Sequence, residues 1–325
     1  MARTSFYHIE DGVVECNLCP HHCTLAEGQT GICLGRKNES GRLVLENYGQ
    51  VTSLAMDPIE KKPLFHFHPG KLILSLGTFG CNLRCSFCQN WTIAQKRASS
   101  KKFQPEDIIE LARDRSSIGI AYTYNEPLIW YEFVYETARL TREAGLKNVL
   151  VTNGFIEPEP LKRLLAHIDA ANLDLKAFSS EFYRDFCRGD IEIVKRNAVI
   201  FKENCHLELA TLLIPDENDG PEEIASLASW ASQELGPETP LHLTRYYPNY
   251  RLELSPTPLE SLDRARKTAE KYLYYVYLGN APGGANTACY ECGYPVIERS
   301  RAGVKLDLVN GHHCPQCGAM LHLVD

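Results

Sequence analysis

Cys81, Cys85 and Cys88 stand close together in the run Gly80-Cys81-Asn82-Leu83-Arg84-Cys85-Ser86-Phe87-Cys88-Gln89-Asn90-Trp91. Three thiolates on one short C-x3-C-x2-C loop can hold three irons of a cubane [4Fe–4S] cluster and leave the fourth iron without a protein ligand. A cluster with four cysteine ligands passes electrons, whereas an open iron can bind a substrate or cofactor and do chemistry there. The preceding apolar run over residues 72–78 reads as a buried strand. The loop therefore follows the C-terminal end of a strand, where α/β barrels build their active sites.

Two further cysteine groups flank this loop. Cys289-x2-Cys292-Gly293 and Cys314-x2-Cys317-Gly318 form two knuckles separated by a hairpin-length segment. Each glycine lets backbone N–H groups turn toward the thiolates, and the spacing fits a closed, structural four-cysteine zinc site. A rubredoxin-like iron uses nearly the same spacing, so the metal stays open between the two. A tail of this length has little core of its own, so the metal would supply much of its folding energy. Without a basic and aromatic stripe, a lid or a partner-docking role suits it at least as well as nucleic-acid binding. The second group, Cys16-x2-Cys19-x3-Cys23-x9-Cys33, also points to a metal, with Pro20 and Gly31 supplying tight turns. Zinc and an auxiliary iron–sulfur cluster are both open there, and the wide split of the second pair inclines the reading to zinc.

The thirteen cysteines could suggest disulfides. Their pairing at metal-ligand spacings, behind an N-terminus with no apolar h-region, argues for metals and a cytoplasmic protein instead. No stretch approaches the roughly 20 apolar residues that span a bilayer. The net charge of −7 offers no general attraction to nucleic acid. Lys96, Arg97, Lys101 and Lys102, the conspicuous basic run, read as a solvated loop.

Elements must position these residues. Composition separates a Cys-rich module (1–70), a region of alternating apolar runs and helical patterns (71–285), and a short polar tail with paired cysteines (286–325). In the middle region strands are expected at 72–78, 119–124, 148–153, 170–177, 206–214, 241–247 and 274–279. Helices are expected at 105–116, 129–144, 158–167, 181–203, 221–235 and 258–273. Repeated strand–helix units imply a parallel sheet. They are too few for a closed eight-stranded barrel, so the fold class is α/β, a partial (β/α)6-type barrel with small Cys-rich modules at both ends.

Polar groups gather where the strands should end. Glu126, stiffened by Pro127, could accept hydrogen bonds from an ammonium group just past the second strand. Thr152, Asn153 and Gly154 end the third strand. Asp174 and Lys176 end the fourth and share a face by alternation; they read as a clamp for a cofactor's carboxylate and ribose, or as a structural ion pair. His66 and His68 share a face of an expected strand and read as packing or hydrogen-bonding groups. His242 reads as a satisfied core histidine, and Cys187 and Cys205 as small buried hydrophobes.

At the C-x3-C-x-aromatic-C signature, with Phe87 in the aromatic place, the chain resembles the radical S-adenosylmethionine (SAM) superfamily. Within it the chain is similar to pyruvate formate-lyase activating enzymes. It is most similar to the AmmeMemoRadiSam system radical SAM enzymes, through Cys16-Asn17-Leu18-Cys19-Pro20, Asp57-Pro58-Ile59-Glu60-Lys61-Lys62-Pro63-Leu64, Cys88-Gln89-Asn90-Trp91 and Tyr122-Thr123-Tyr124-Asn125-Glu126-Pro127. The resemblance implies the partial barrel, a [4Fe–4S] cluster on Cys81, Cys85 and Cys88, and SAM chelated to the open iron. It further implies one-electron cleavage of SAM to a 5′-deoxyadenosyl radical that abstracts hydrogen, with a low-potential electron donor. Asn125 and Glu126 occupy the place of the family's Gly-Gly-Glu-Pro motif, with Tyr124 and Asn125 replacing its glycines. Thr152, Asn153, Gly154, Asp174 and Lys176 match segments that hold SAM in glycyl-radical activating enzymes. Val151 stands where that group has an aspartate beside a monovalent cation, and Tyr247 where related proteins carry a histidine. The activating-enzyme likeness implies a protein partner as substrate. A small metabolite or nucleic-acid base is the alternative, as is a non-enzymatic metal-binding scaffold, though a scaffold has no need of convergent polar groups at strand ends.

Overall fold

The computed structural model describes residues 5–283, 285–300 and 302–325; residues 1–4, the start of the stretch read for an export signal, lie outside the described residues. Its body is an eight-stranded sheet: β1 (Ser53–Pro58), β2 (Leu72–Gly77), β3 (Gly119–Tyr122), β4 (Lys147–Thr152), β5 (Ala170–Asp174), β6 (His206–Leu213), β7 (Leu241–Arg245) and β8 (Val276–Gly279). The strands lie in the order β8-β7-β6-β5-β4-β3-β2-β1. All neighbours from β2 to β8 pair in parallel, and β1 runs antiparallel to β2, with Ser53 opposite Gly77 and Pro58 opposite Leu72. The two edge strands do not pair with each other, so the barrel stays open as the unit count predicts. Six helices provide the crossovers: α1 (Pro105–Asp114), α2 (Tyr131–Glu143), α3 (Pro158–Leu165), α4 (Ile191–Asn204), α5 (Pro221–Leu235) and α6 (Leu259–Ala269).

The local chemistry explains these boundaries. Pro105 opens α1, where its missing N–H costs nothing, and the Gln104 N–H donates to Asp107 Oδ2 at 2.8 Å. Helix α1 then buries Ile108, Ile109 and Ala112 against the sheet. Gly145 ends α2 at a φ of 74°, the left-handed conformation that favours glycine. Strands such as β3 are buried along their whole length, as parallel strands covered on both faces must be.

Two expected elements differ. The helix read across 181–203 is broken into a short turn (Ser180–Phe182), a π-helical turn (Tyr183–Cys187) and then α4. Arg188 turns left-handed at φ 55°, and the Asp190 carboxylate caps α4 by accepting the Glu192 N–H at 2.9 Å. The break frees the carbonyls of Cys187 and Phe186 to accept from the N–H groups of Arg84 and Ser86 in the cysteine loop, at 2.8 and 3.0 Å. The second difference is the expected strand at His66 and His68. This segment makes a single bridge, Phe67 to Val324, because the N–H groups of Phe65 and His66 are given to the Glu208 carboxylate at 3.0 and 2.7 Å. His68 is left-handed at φ 45°, so the two histidines share no strand face.

The end of the sheet away from the cysteine loop is closed by residues of both flanking regions. Glu208, wholly buried, also accepts from His206 and His242 at 3.0 and 2.7 Å. His66 bonds Tyr277 Oη at 2.7 Å and the His322 carbonyl at 2.9 Å, so the hydrogen-bonding reading of His66 and His242 holds. The tail is tied there by Val324 to His66 and His68 and by Arg299 to Phe65 and Glu60. No helix among the described residues is long and apolar enough to cross a membrane.

Candidate active site

The C-terminal strand ends surround a cavity of about 460 Å³, a volume typical of small-molecule sites. Cys81, Cys85 and Cys88 line it on the loop after β2. That loop needs two glycines. A Cβ on Gly77 would lie 2.5 Å from the Thr123 carbonyl, and one on Gly80 would lie 2.0 Å from the Cys33 carbonyl. Asn125 ties the loop from the neighbouring turn: its Oδ1 accepts the Thr78 N–H at 3.1 Å and its Nδ2 donates to the Gly80 carbonyl at 2.8 Å. Both ends of its amide are thus spent on positioning.

Tyr124 takes φ 72°, the conformation that the glycine it replaces would adopt freely. Its hydroxyl donates to Asp57 Oδ2 at 2.7 Å, and Lys62 lies over its ring at 4.7 Å. These contacts hold the strained turn. Next in the chain, Glu126 is 2% exposed. Its Oε1 accepts from Thr152 Oγ1 at 2.6 Å and from the Leu128 N–H at 2.9 Å, and its Oε2 from the Asn153 N–H at 2.8 Å. Burial still pushes its carboxyl up to about 7, against these three donors. Asn153 points its Nδ2 to Asn82 Oδ1 at 3.1 Å and to Cys81 Sγ at 3.7 Å, which joins β4's end to the cysteine loop.

Asp174 closes β5 and Lys176 lies just beyond it, and both line the cavity. Lys176 Nζ donates to Asp174 Oδ2 at 2.6 Å. Burial works against the ammonium, but the charge and hydrogen bond of Asp174 together with the neighbouring Cys85 and Cys187 thiols outweigh burial and hold its pKa well above the usual lysine value. The pair is thus an ion pair that opens on the cavity.

Of the residues read from the sequence, Thr152, Asn153, Asn125, Glu126, Asp174, Lys176 and the three cysteines meet at this cavity. Gly154 does not; it turns the chain behind the wall at φ 69°, where a Cβ would meet Leu173 at 2.5 Å. Tyr247 is 43% exposed and bonded to Arg245 rather than lining the cavity. Cys187 is wholly buried behind Cys85 and off the cavity, and among the described residues no fourth cysteine and no histidine lines it. Sequence reasoning missed Asp57, Lys61 and Lys62 as wall residues. Lys62 is 3% exposed with Nζ 2.9 Å from Asp57 Oδ2. Burial raises the Asp57 pKa, but hydrogen bonds from Lys62 and Tyr124 outweigh it and hold the carboxyl well below the usual range. The available signal was the Lys61-Lys62 pair close after Asp57 in the chain.

The four C-terminal thiols lie within 4.8 Å of one another, with Cys289–Cys317 at 3.6 Å and Cys292–Cys314 at 3.7 Å. Tetrahedral zinc, at about 2.3 Å from each sulfur, sets ligand sulfurs roughly 3.8 Å apart. The two knuckles are alike: Gly293 and Gly318, at φ 76° and 77°, donate to the carbonyls of Cys289 and Cys314, each at 2.9 Å. The ribbon is anchored at the sheet end away from the cavity, so it is no lid. Lys96 lies over Trp91 and Arg97 pairs with Glu46. Lys101 and Lys102, though exposed, form a two-residue strand paired antiparallel with Gln50–Val51, so the loop reading fails for that pair because its backbone finds a partner strand.

An open parallel barrel with three thiols at one strand end defines an enzyme class. Residues 75–228 match the family described as the radical SAM superfamily. The chain is 43% identical to the uncharacterized protein MJ0808 of Methanocaldococcus jannaschii over the whole of both chains. It is 26% identical to the pyruvate formate-lyase-activating enzyme of Clostridium pasteurianum over 60% of this chain and 87% of that one. Among solved structures, a radical SAM methyltransferase from Sphaerobacter thermophilus aligns with a TM-score of 0.53 at 15% identity, covering 67% of this chain and 68% of that one. Streptococcus suis SuiB bound to S-adenosylmethionine aligns at 0.51 and 16% identity, over 70% of this chain and 55% of SuiB. At such identities the structural likeness speaks for the fold alone. The chain belongs to the radical SAM superfamily and is an enzyme of it, and that family implies a [4Fe–4S] cluster and SAM.

Proposed function

We propose that this enzyme holds a [4Fe–4S] cluster on Cys81, Cys85 and Cys88, binds SAM in the cavity they line, and uses it to abstract hydrogen from a partner protein. The observation that carries this is the donor set: three thiols and, among the described residues, no fourth cysteine or histidine on one wall, facing convergent polar groups on the others. When bound, the cluster and SAM together supply a one-electron cleavage that yields a 5′-deoxyadenosyl radical. The chain's own residues bind, orient and exclude water. Glu126 is a buried acceptor suited to an ammonium group, and the Asp174–Lys176 pair suits a carboxylate and a ribose hydroxyl. Asn125 and Asn153 fix the cysteine loop against the ends of β2 and β4. The relative named pyruvate formate-lyase-activating enzyme supports a protein as the substrate and a low-potential reductant as the donor.

Anaerobic reconstitution with iron and sulfide, followed by SAM and dithionite, tests the chemistry by chromatography of 5′-deoxyadenosine. An intact cluster that releases none overturns the proposal. Incubation with candidate partner polypeptides and electron paramagnetic resonance then tests the substrate class, since a glycyl-type radical on the partner is the expected signal.

A further inference from the structure

A second set of four cysteines surrounds an enclosed space next to the active site, and the function above makes no use of it. Cys16, Cys19, Cys23 and Cys33 all line this space, with Leu18, Leu25 and Ile129 completing its apolar wall. Three of the thiols are more than nine-tenths buried. The fifth polar group is Arg36, 1% exposed, whose Nη atoms bond Glu132 at 2.6 and 2.7 Å and the Ser5 carbonyl at 2.9 Å. Its Nε–H has no hydrogen-bond partner. A buried, unpaired donor beside four thiols is costly unless an acceptor belongs there.

The molecule contains its own standards for what four or three thiols can hold. Among the described residues, the C-terminal quartet is the group of three or more ligand-type side chains whose atoms all lie within 4.8 Å, the spacing of ligands to one ion. The Cys81-Cys85-Cys88 trio is not so tightly drawn, and it should not be, because each of its sulfurs serves a different corner of a cube. The N-terminal quartet lines one common space without belonging to such a tight group, which favours a cluster over the zinc that the split spacing suggested.

We propose that Cys16, Cys19, Cys23 and Cys33 hold a second [4Fe–4S] cluster, with the Arg36 Nε–H donating to it. With four protein ligands this cluster has no iron free for SAM, so its chemistry is to store or pass a single electron. Its place supports that role. The Cys33 carbonyl abuts Gly80, the residue before Cys81, so closely that only glycine fits. The Arg84 guanidinium donates to the carbonyls of Cys81 and Leu83 at 2.8 and 3.1 Å and also to that of Ile32, and His21 Nε2 lies 2.7 Å from the Asn82 carbonyl. The two cysteine loops are therefore packed on each other.

The test counts acid-labile sulfide, which neither zinc nor a rubredoxin-type iron contributes. Anaerobically reconstituted full-length protein should carry about eight sulfides and eight cluster irons per chain, for two cubanes. The triple variant Cys81→Ala/Cys85→Ala/Cys88→Ala should keep about four of each. Its reduced paramagnetic signal should not respond to SAM. About four sulfides in the wild-type protein with two zinc ions per chain overturns the proposal, as does a folded triple variant, judged by circular dichroism, that retains no sulfide. Should the triple variant fail to fold, the wild-type count decides alone. These counts do not depend on SAM cleavage, so an inactive enzyme with two clusters would overturn the proposed function and leave this site standing.

Discussion

Glu126 carries the clearest pH dependence at the residue scale. Its carboxyl sits near 7 because burial outweighs three hydrogen-bond donors. A raised folded pKa means that protonated Glu126 favours the cofactor-free fold below the ordinary carboxylate value, and that this contribution is lost as pH rises toward 7. An ammonium group arriving at this carboxylate requires the charged form. SAM affinity should therefore be flat above about pH 7 and weaken roughly tenfold per unit below it. Titrations of SAM binding from pH 6 to 8 would check this, and Glu126→Gln should give a weak, pH-independent profile. Tyr124 offers a second test. Tyr124→Phe removes the charge-assisted bond to Asp57 that helps hold a left-handed turn, and should cost about 1.5–3 kcal/mol in urea denaturation. A neutral result would show that Lys62 alone satisfies Asp57.

The broken segment between β5 and α4 is the feature with consequences at the scale of elements. A continuous helix would have kept its own carbonyls, whereas the π-turn gives those of Phe186 and Cys187 to the cysteine loop. Arg188 is left-handed and exposed at the break, so Arg188→Gly should raise stability by about 1 kcal/mol without changing iron content. Thermal melts with iron assays read both. The seven parallel strands were legible because the apolar runs are short and regularly spaced between helical patterns, whereas the antiparallel edge strand β1 (Ser53–Pro58) was not. The break was not legible, since Gly189-Asp190 interrupts a pattern that keeps helical periodicity on both sides and its reason lies a hundred residues upstream. The misread of His66 and His68 has the same origin: their alternation is that of a strand, but Glu208 takes the N–H groups a strand would need.

For the whole molecule, chemistry and closure occupy opposite ends of the sheet. The buried Glu208 network and the ribbon seal the end away from the cavity. Burial raises the Glu208 pKa, but bonds from His206 and His242 outweigh it and hold the carboxyl well below its usual range. Burial also pushes His66 down to about 3, so the unfolded chain binds a proton there that the folded chain refuses. Both contributions are complete above about pH 6.5 and are lost as pH falls, first through the histidine range and then through the carboxylate range. Stability should thus drop steadily between pH 6.5 and 4, and Glu208→Ala should cost about 3–5 kcal/mol at neutral pH because it strands buried partners. Denaturant melts across pH would show a flat wild-type profile if this network were unimportant. Cys292→Ser with Cys317→Ser should free the tail to proteases while cluster content at Cys81, Cys85 and Cys88 stays within about twofold of wild type, measured by limited proteolysis and sulfide assay.

The sequence by itself marked out the three cysteine groups and the kind of sheet that carries them, because thiol spacing and apolar periodicity are local properties of the chain. It also named Glu126, Asp174 and Lys176, which sit where strands stop. Only the tertiary structure decided that Lys62 and Asp57 form a wall of the site, that Gly154 and Tyr247 do not, and that the four N-terminal cysteines line one common space. Those facts are distances between segments far apart in sequence, and they exist only once the barrel has brought its strand ends and flanking loops together.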